Sequence, residues 1–68
     1  MTYTIESAQE EDGRWLAEIA EIPGVLVYGQ TEMEAIAKVK ALALRVLADR
    51  FEHGESLPEP INISFEAA

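Results

Sequence analysis

Apolar and polar residues alternate from the start of the chain: Tyr3, Ile5 and Ser7 share one side, and Thr2, Thr4 and Glu6 the other. Two-residue periodicity among β-formers predicts a strand over Met1–Ala8. The charged run Gln9–Gly13 ends in Asp12-Gly13, a turn pair because glycine accepts positive φ and aspartate tolerates it. Alternation resumes over Arg14–Ala20, with Trp15, Ala17 and Ile19 on one side. The two runs therefore predict an antiparallel hairpin. Glu21-Ile22-Pro23-Gly24 reads as a tight bend, and Val25–Tyr28 as a short third strand stopped by Gly29.

The period then changes. Thr31-Glu32-Met33-Glu34 has the T-x-x-E form of a capping box, in which hydroxyl and carboxylate satisfy the free backbone donors of a helix start. Helix formers continue to His53, and Gly54 suits the left-handed position just past a helix end. Glu55–Pro60 reads as a loop. Ile61, Ile63 and Phe65 alternate with Asn62, Ser64 and Glu66, which predicts a fourth strand. The pattern is one α+β domain over 1–68 with the order β-β-β-α-β. A right-handed helical crossover between parallel strands sets the fourth strand beside the first. The helix then covers one face of the sheet and leaves the other bare.

The helix carries more apolar surface than one sheet face needs. Leu42, Ala35, Val46, Val39, Ala43, Ile36, Leu47, Phe51 and Leu44 sweep roughly half its circumference, against about 100° for an ordinary surface helix. Lys40 and Arg50 fall inside that arc, where their stems allow the charges to snorkel outward. Leu16, with either Leu26 or Tyr28, is expected on the uncovered face. A generous core with a few exposed leucines accounts for such a stripe; a subunit or partner interface does so as well, and also covers the bare sheet.

Length sharpens the second account. The chain has 68 residues, and a domain of that size buries only roughly 60% of the surface its unfolded chain exposes. Small domains usually add disulfides, a metal or a partner subunit. There is no cysteine, and His53 is the lone histidine, so thiolate and imidazole metal sites are not expected. A homo-oligomer, dimer or tetramer, is the remaining source of stability. Acidic side chains number 13 against 5 basic ones, a formal charge of −8. Such a field repels phosphate backbones and attracts basic partners, so direct nucleic-acid binding is not expected. No apolar run approaches the roughly 20 residues of a membrane span, and the N-terminus lacks the basic start of a signal peptide. The expected compartment is the cytoplasm.

Catalysis finds little support. Glu10, Glu11 and Asp12 are adjacent in a hairpin turn and lack the spaced ligands of a cation-binding loop. Glu32 and Glu34 fit the helix start, where the dipole favours anions. His53 sits in the last helical turn with no serine, threonine or cysteine placed to act as its nucleophile. Gly24 and Gly29 are not followed by a phosphate-loop pattern. The chain reads as a binding protein, with no catalytic residue, metal or cofactor.

The central block has a more specific signature. Asp12-Gly13-Arg14-Trp15-Leu16-Ala17-Glu18-Ile19, Ile22-Pro23-Gly24, then Gly29-Gln30-Thr31 with Glu34-Ala35, resembles the HicB-type antitoxin family. That family carries a DG-x-aromatic-x-A hairpin, a PG bend and a G-x-T-x-x-E-A helix start. Gly54–Pro60 is similar to its G-x-x-L-P-x-P segment, so the resemblance runs from about Tyr3 to Phe65. It implies a partial ribonuclease-H-like fold with strand order 3-2-1-4 and the helix on one face. It also implies a type II toxin–antitoxin role: a HicB domain binds the small basic toxin HicA, whose histidine cleaves messenger RNA, and blocks RNA access. The acidity suits a surface that stands in for RNA.

The alternative is an orphan HicB-like oligomeric interaction or scaffold protein with no toxin. The chain is expected to be a solitary domain without the C-terminal DNA-binding domain of full-length HicB proteins, so that function does not carry over. A residual nuclease would need converging carboxylates, and Glu6 on the first strand with Glu66 on the fourth do not supply them. The expected partner-binding residues are Trp15, Leu16, Glu18, Glu21 and Tyr28, with Phe51 and His53 at the helix end. Glu18 and Glu21 are expected to form an acidic rim.

Overall fold

A computed structural model describes residues 1–56 and 59–68. It contains β1 (Thr2–Gln9), β2 (Trp15–Ile19), β3 (Leu26–Gly29), α1 (Glu32–Glu52) and β4 (Ser64–Ala67). The sheet order is β3-β2-β1-β4, with β1 and β3 antiparallel to β2 and β4 parallel to β1. The α+β class, the β-β-β-α-β order and the 3-2-1-4 arrangement are thus as expected. The loop expected at Glu55–Pro60 lies partly outside the described residues.

Local chemistry fixes the element ends. In the first hairpin, Gly13 takes φ 92°, and the backbone N–H of Arg14 donates to Asp12 Oδ1 at 3.0 Å. At the start of α1 the Thr31 hydroxyl accepts from the Glu34 N–H at 3.1 Å. Only this half of the capping box forms as expected. The Glu34 carboxylate pairs with Lys38 Nζ at 3.0 Å instead, one helical turn ahead. At the other end Gly54, φ 84°, donates to Phe51 O at 3.1 Å and Glu55 donates to Arg50 O at 3.0 Å. These paired bonds are those of a Schellman motif.

β4 corrects the expected strand. It begins at Ser64 rather than Ile61, because its ladder on β1 opens at Thr2↔Ser64. Upstream, the last anchor is the Met1 amine on the Asn62 carbonyl at 2.6 Å. Ile61–Ile63 therefore alternate without a strand to pair with. β3 is likewise displaced by one residue, to Leu26–Gly29, since Val25 turns inward and is buried beside Ile22.

The core joins Ile5, Ala17 and Ile19 of the sheet, Ile22 and Val25 of the bend, and Ala35, Val39, Ala43 and Leu47 of α1. The helix residues step by four, one narrow ridge seated on β2 and β3. Fully burying a side chain such as Leu47 stabilises the fold by about 1.5–3 kcal/mol. Ile36, Leu42 and Val46 flank the ridge half-buried. Leu44 and Phe51 do not join the core: they are 46% and 53% exposed.

Candidate protein-binding face

Alternation along the strands sorts the sheet into two faces. Ile5, Ala17, Ile19 and Val27 pack towards α1. Their neighbours in sequence therefore project from the face that no described element covers. Register brings Leu16 opposite both Ala8 and Tyr28, and Glu18 opposite both Glu6 and Leu26. Thr4 and Glu66 are partners one strand further. Both Leu26 and Tyr28 lie on this face, not one of them, because residues two apart on a strand point the same way. They are 44% and 42% exposed.

The face has two halves. Leu16, Leu26 and Tyr28 form an apolar strip, closed at one end by Arg14, whose guanidinium lies 4.5 Å from the centre of the Tyr28 ring. Arg14 is held there by Asp12 Oδ2 at 2.7 Å. The backbone N–H of Arg14, then its side chain, keep the Asp12 carboxyl below its ordinary value. The other half is acidic. Glu6 and Glu18 stand directly opposite each other, an arrangement of like charges that costs stability. Neither forms an ion pair among the described residues.

Glu21 sits at the edge of this half and is already engaged. It accepts from the Thr4 N–H at 2.8 Å and from the Thr4 hydroxyl at 2.8 Å, and these two donors lower its pKa. The bond fills a ladder position of β1 beyond the last β2 pair. Glu21 thus ties the bend to β1, and the acidic half of the face rests on Glu6, Glu18 and Glu66.

The expected site residues are only partly brought together. Leu16, Glu18 and Tyr28 share the uncovered face. Trp15 does not: it projects to the helix side with Ala17 and Ile19 and packs half-buried against the core. Phe51 and His53 belong to the helix layer, on the opposite side of the sheet. His53 caps α1, its Nδ1–H donating to the Asp49 carbonyl at 2.7 Å. Glu6 and Leu26 join the face although neither was among the expected site residues. The hairpin centred on Asp12 is the signal that finds Glu6, since its symmetric pairing sets Glu6 against Glu18.

Charge is divided between the layers as sharply as polarity. Within α1, Glu32, Glu34, Asp49 and Glu52 balance Lys38, Lys40, Arg45 and Arg50. The whole formal charge of −8 therefore resides on the sheet, its turns and the segments flanking α1. Among the described residues no group of His, Cys, Asp and Glu is arranged to hold a metal ion. No helix among them is long and apolar enough to cross a membrane.

These features define a class: a four-stranded mixed sheet covered on one face by a single neutral helix, with an acidic and apolar face left open. The chain is 28% identical over 58 residues to UPF0150 protein Ta0767 of Thermoplasma acidophilum, a match that spans 85% of this chain and 84% of that protein. It is also similar to the crystal structure of hypothetical protein TTHA1013 from the extremely thermophilic bacterium Thermus thermophilus. There the TM-score is 0.67 at 28% identity, covering 100% of this chain and 93% of the other. No protein-family model matches the chain.

Proposed function

We propose that this chain is a HicB-like antitoxin domain that binds a small basic ribonuclease toxin of the HicA type and neutralises it by contact, without catalysis of its own. The observation that carries the reading is the Glu6–Glu18 pair on the uncovered face. Two carboxylates held opposite each other, in no ion pair among the described residues, cost the isolated domain stability. A lysine- or arginine-rich surface relieves that repulsion on binding. The adjoining strip of Leu16, Leu26 and Tyr28 supplies the apolar and aromatic contact on which affinity depends. Keeping the net negative charge off the helix also orients an approaching cationic partner.

The test is to look in the adjacent reading frame for a short basic protein, expected there on this reading, and to co-express it with this chain. The neighbour alone arrests growth, and this chain restores growth and co-purifies with it. Purified complex formation weakens steeply as salt is raised. A neighbour that arrests growth and is neither relieved nor bound by this chain refutes the proposal.

A further inference from the structure

β3 lies at an edge of the sheet, and its hydrogen bonding leaves particular backbone groups open. The Ile19 N–H donates to the Val25 carbonyl at 3.0 Å, and Ala17 and Trp15 stand opposite Val27 and Gly29. Bonded and unbonded pairs alternate along an antiparallel ladder, so Val25, Val27 and Gly29 turn their N–H and C=O groups towards β2. Those of Leu26 and Tyr28 turn outward, where no described element pairs with them. Val25–Gly29 holds neither a charged residue nor a proline, two devices that keep other chains off a sheet edge. Open donors and acceptors two residues apart form a template for an added strand.

Beside this edge, between β3 and α1, is a hollow of about 320 Å³ lined by Val27, Lys38, Ala41, Leu42 and Arg45. Val27, Ala41 and Leu42 make it apolar, and a cation stands towards each end. Lys38 shares its charge with Glu34, whereas Arg45 makes no ion pair among the described residues. α1 runs back along β3 from the contact of Gly29 with Ala35, so Lys38 lies towards Gly29 and Arg45 towards Val25. We infer that the β3 edge receives an extended acidic segment of another protein as an added strand, antiparallel to β3. The segment's residue opposite Val27 sends its side chain into the hollow and is apolar. The residues two before and two after it share that face, roughly 13 Å apart. Lys38 and Arg45 are separated by about 10.5 Å along the helix axis, within reach of carboxylates at those two positions. The segment recognised is therefore acidic-x-apolar-x-acidic. The net charge of −8 does not oppose it strongly, because at physiological salt exposed charges beyond about 8 Å are largely screened. The acidic segment meets the sheet's edge and the proposed basic toxin its open face, so either binds without the other.

The probe is a capped synthetic peptide centred on Asp-Thr-Leu-Thr-Asp, titrated into the isotopically labelled chain at physiological salt and followed by nuclear magnetic resonance. The Leu26 and Tyr28 amide signals move downfield and their hydrogen exchange slows, while the Glu6 and Glu18 signals hold still. Arg45→Glu keeps the far-UV circular dichroism of the folded domain and weakens binding by about fivefold or more. Methylating the two threonine nitrogens of the peptide removes its pairing donors at unchanged charge and abolishes binding; replacing both aspartates with lysine does the same. The inference is overturned by signals that stay put at millimolar peptide, or that move only on the open sheet face. It is overturned equally if the methylated or the lysine peptide binds like the first, or if Arg45→Glu binds undiminished. Leu26 and Tyr28 amides already protected in a self-associated chain, with no peptide present, would assign the edge to a second copy and overturn it too.

Discussion

A methyl group placed on Gly29 would stand 2.6 Å from the backbone nitrogen of Ala35 and 3.2 Å from its Cβ. The end of β3 thus touches the first turn of α1 backbone to backbone, and no side chain fits between them. Gly29 is needed here for its size, not for its dihedral angles. Gly29→Ala forces sheet and helix apart and is expected to destabilise the domain by about 1–3 kcal/mol. Urea unfolding followed by tryptophan fluorescence checks this; an unchanged midpoint would show that the contact is looser than described.

Ile22 is the counterpart in the bend. It is only 2% exposed although it lies between two strands in a turn, and its N–H and carbonyl bond Ile19 and Val25. Truncation leaves a cavity that the short bend cannot close. Ile22→Ala is expected to cost about 2–5 kcal/mol, a large share of the roughly 5–15 kcal/mol that holds a typical domain together. The urea midpoint is expected to fall accordingly, read by the same tryptophan fluorescence.

Stability should depend on pH through Glu21. Its pKa is lowered from the ordinary 4.5 by the Thr4 N–H and hydroxyl. A carboxyl whose folded pKa lies below its unfolded one stabilises the fold above the unfolded value. That stabilisation is lost as pH falls through the folded pKa. The loss therefore sets in near pH 4.5 and deepens below it, with Asp12 and Glu34, also lowered, adding to the slope. Glu21→Gln keeps an acceptor for Thr4 but cannot titrate. Thermal melts between neutral and acidic pH are expected to show a shallower acid limb in the variant than in the parent.

Reversing one charge of the opposed pair separates folding from binding. Glu18→Lys replaces a repulsion with an attraction to Glu6 across the strands, and should raise stability by about 0.2–1 kcal/mol. The same change places a cation where a basic partner is proposed to dock, so affinity for that partner falls and its salt dependence flattens. Calorimetric melts of the free domain and titration of the complex read the two effects independently. A variant that is less stable, or that binds as tightly as the parent, contradicts the assignment.

Features set by nearby residues were legible in the sequence. Asp12-Gly13 marked the first hairpin, Thr31 marked the helix start, and alternation put Trp15 with Ala17 and Ile19 on the side that proves to be covered. What the sequence hid depends on distant neighbours. Ile61 and Ile63 alternate as a strand does, yet the β4 ladder begins only where β1 offers a partner. Glu21 looks like a surface carboxylate, and its bonds to Thr4 across 17 residues appear only when the bend folds back on β1. The exposure of Leu44 and Phe51 on α1 was hidden inside an apolar arc. Only burial separates Leu47, at 3% exposed, from Leu44, at 46%.

The parallel pairing of β4 with β1 bears on the order in which the protein is made. β1 leaves the ribosome well before β4, and the Met1–Asn62 bond that opens their ladder spans 61 residues. Until β4 is synthesised, β1 presents an unpaired edge to other chains. Completion of the sheet therefore distinguishes a finished domain from a truncated one. A messenger cut short before β4 yields a sticky fragment in place of a working domain.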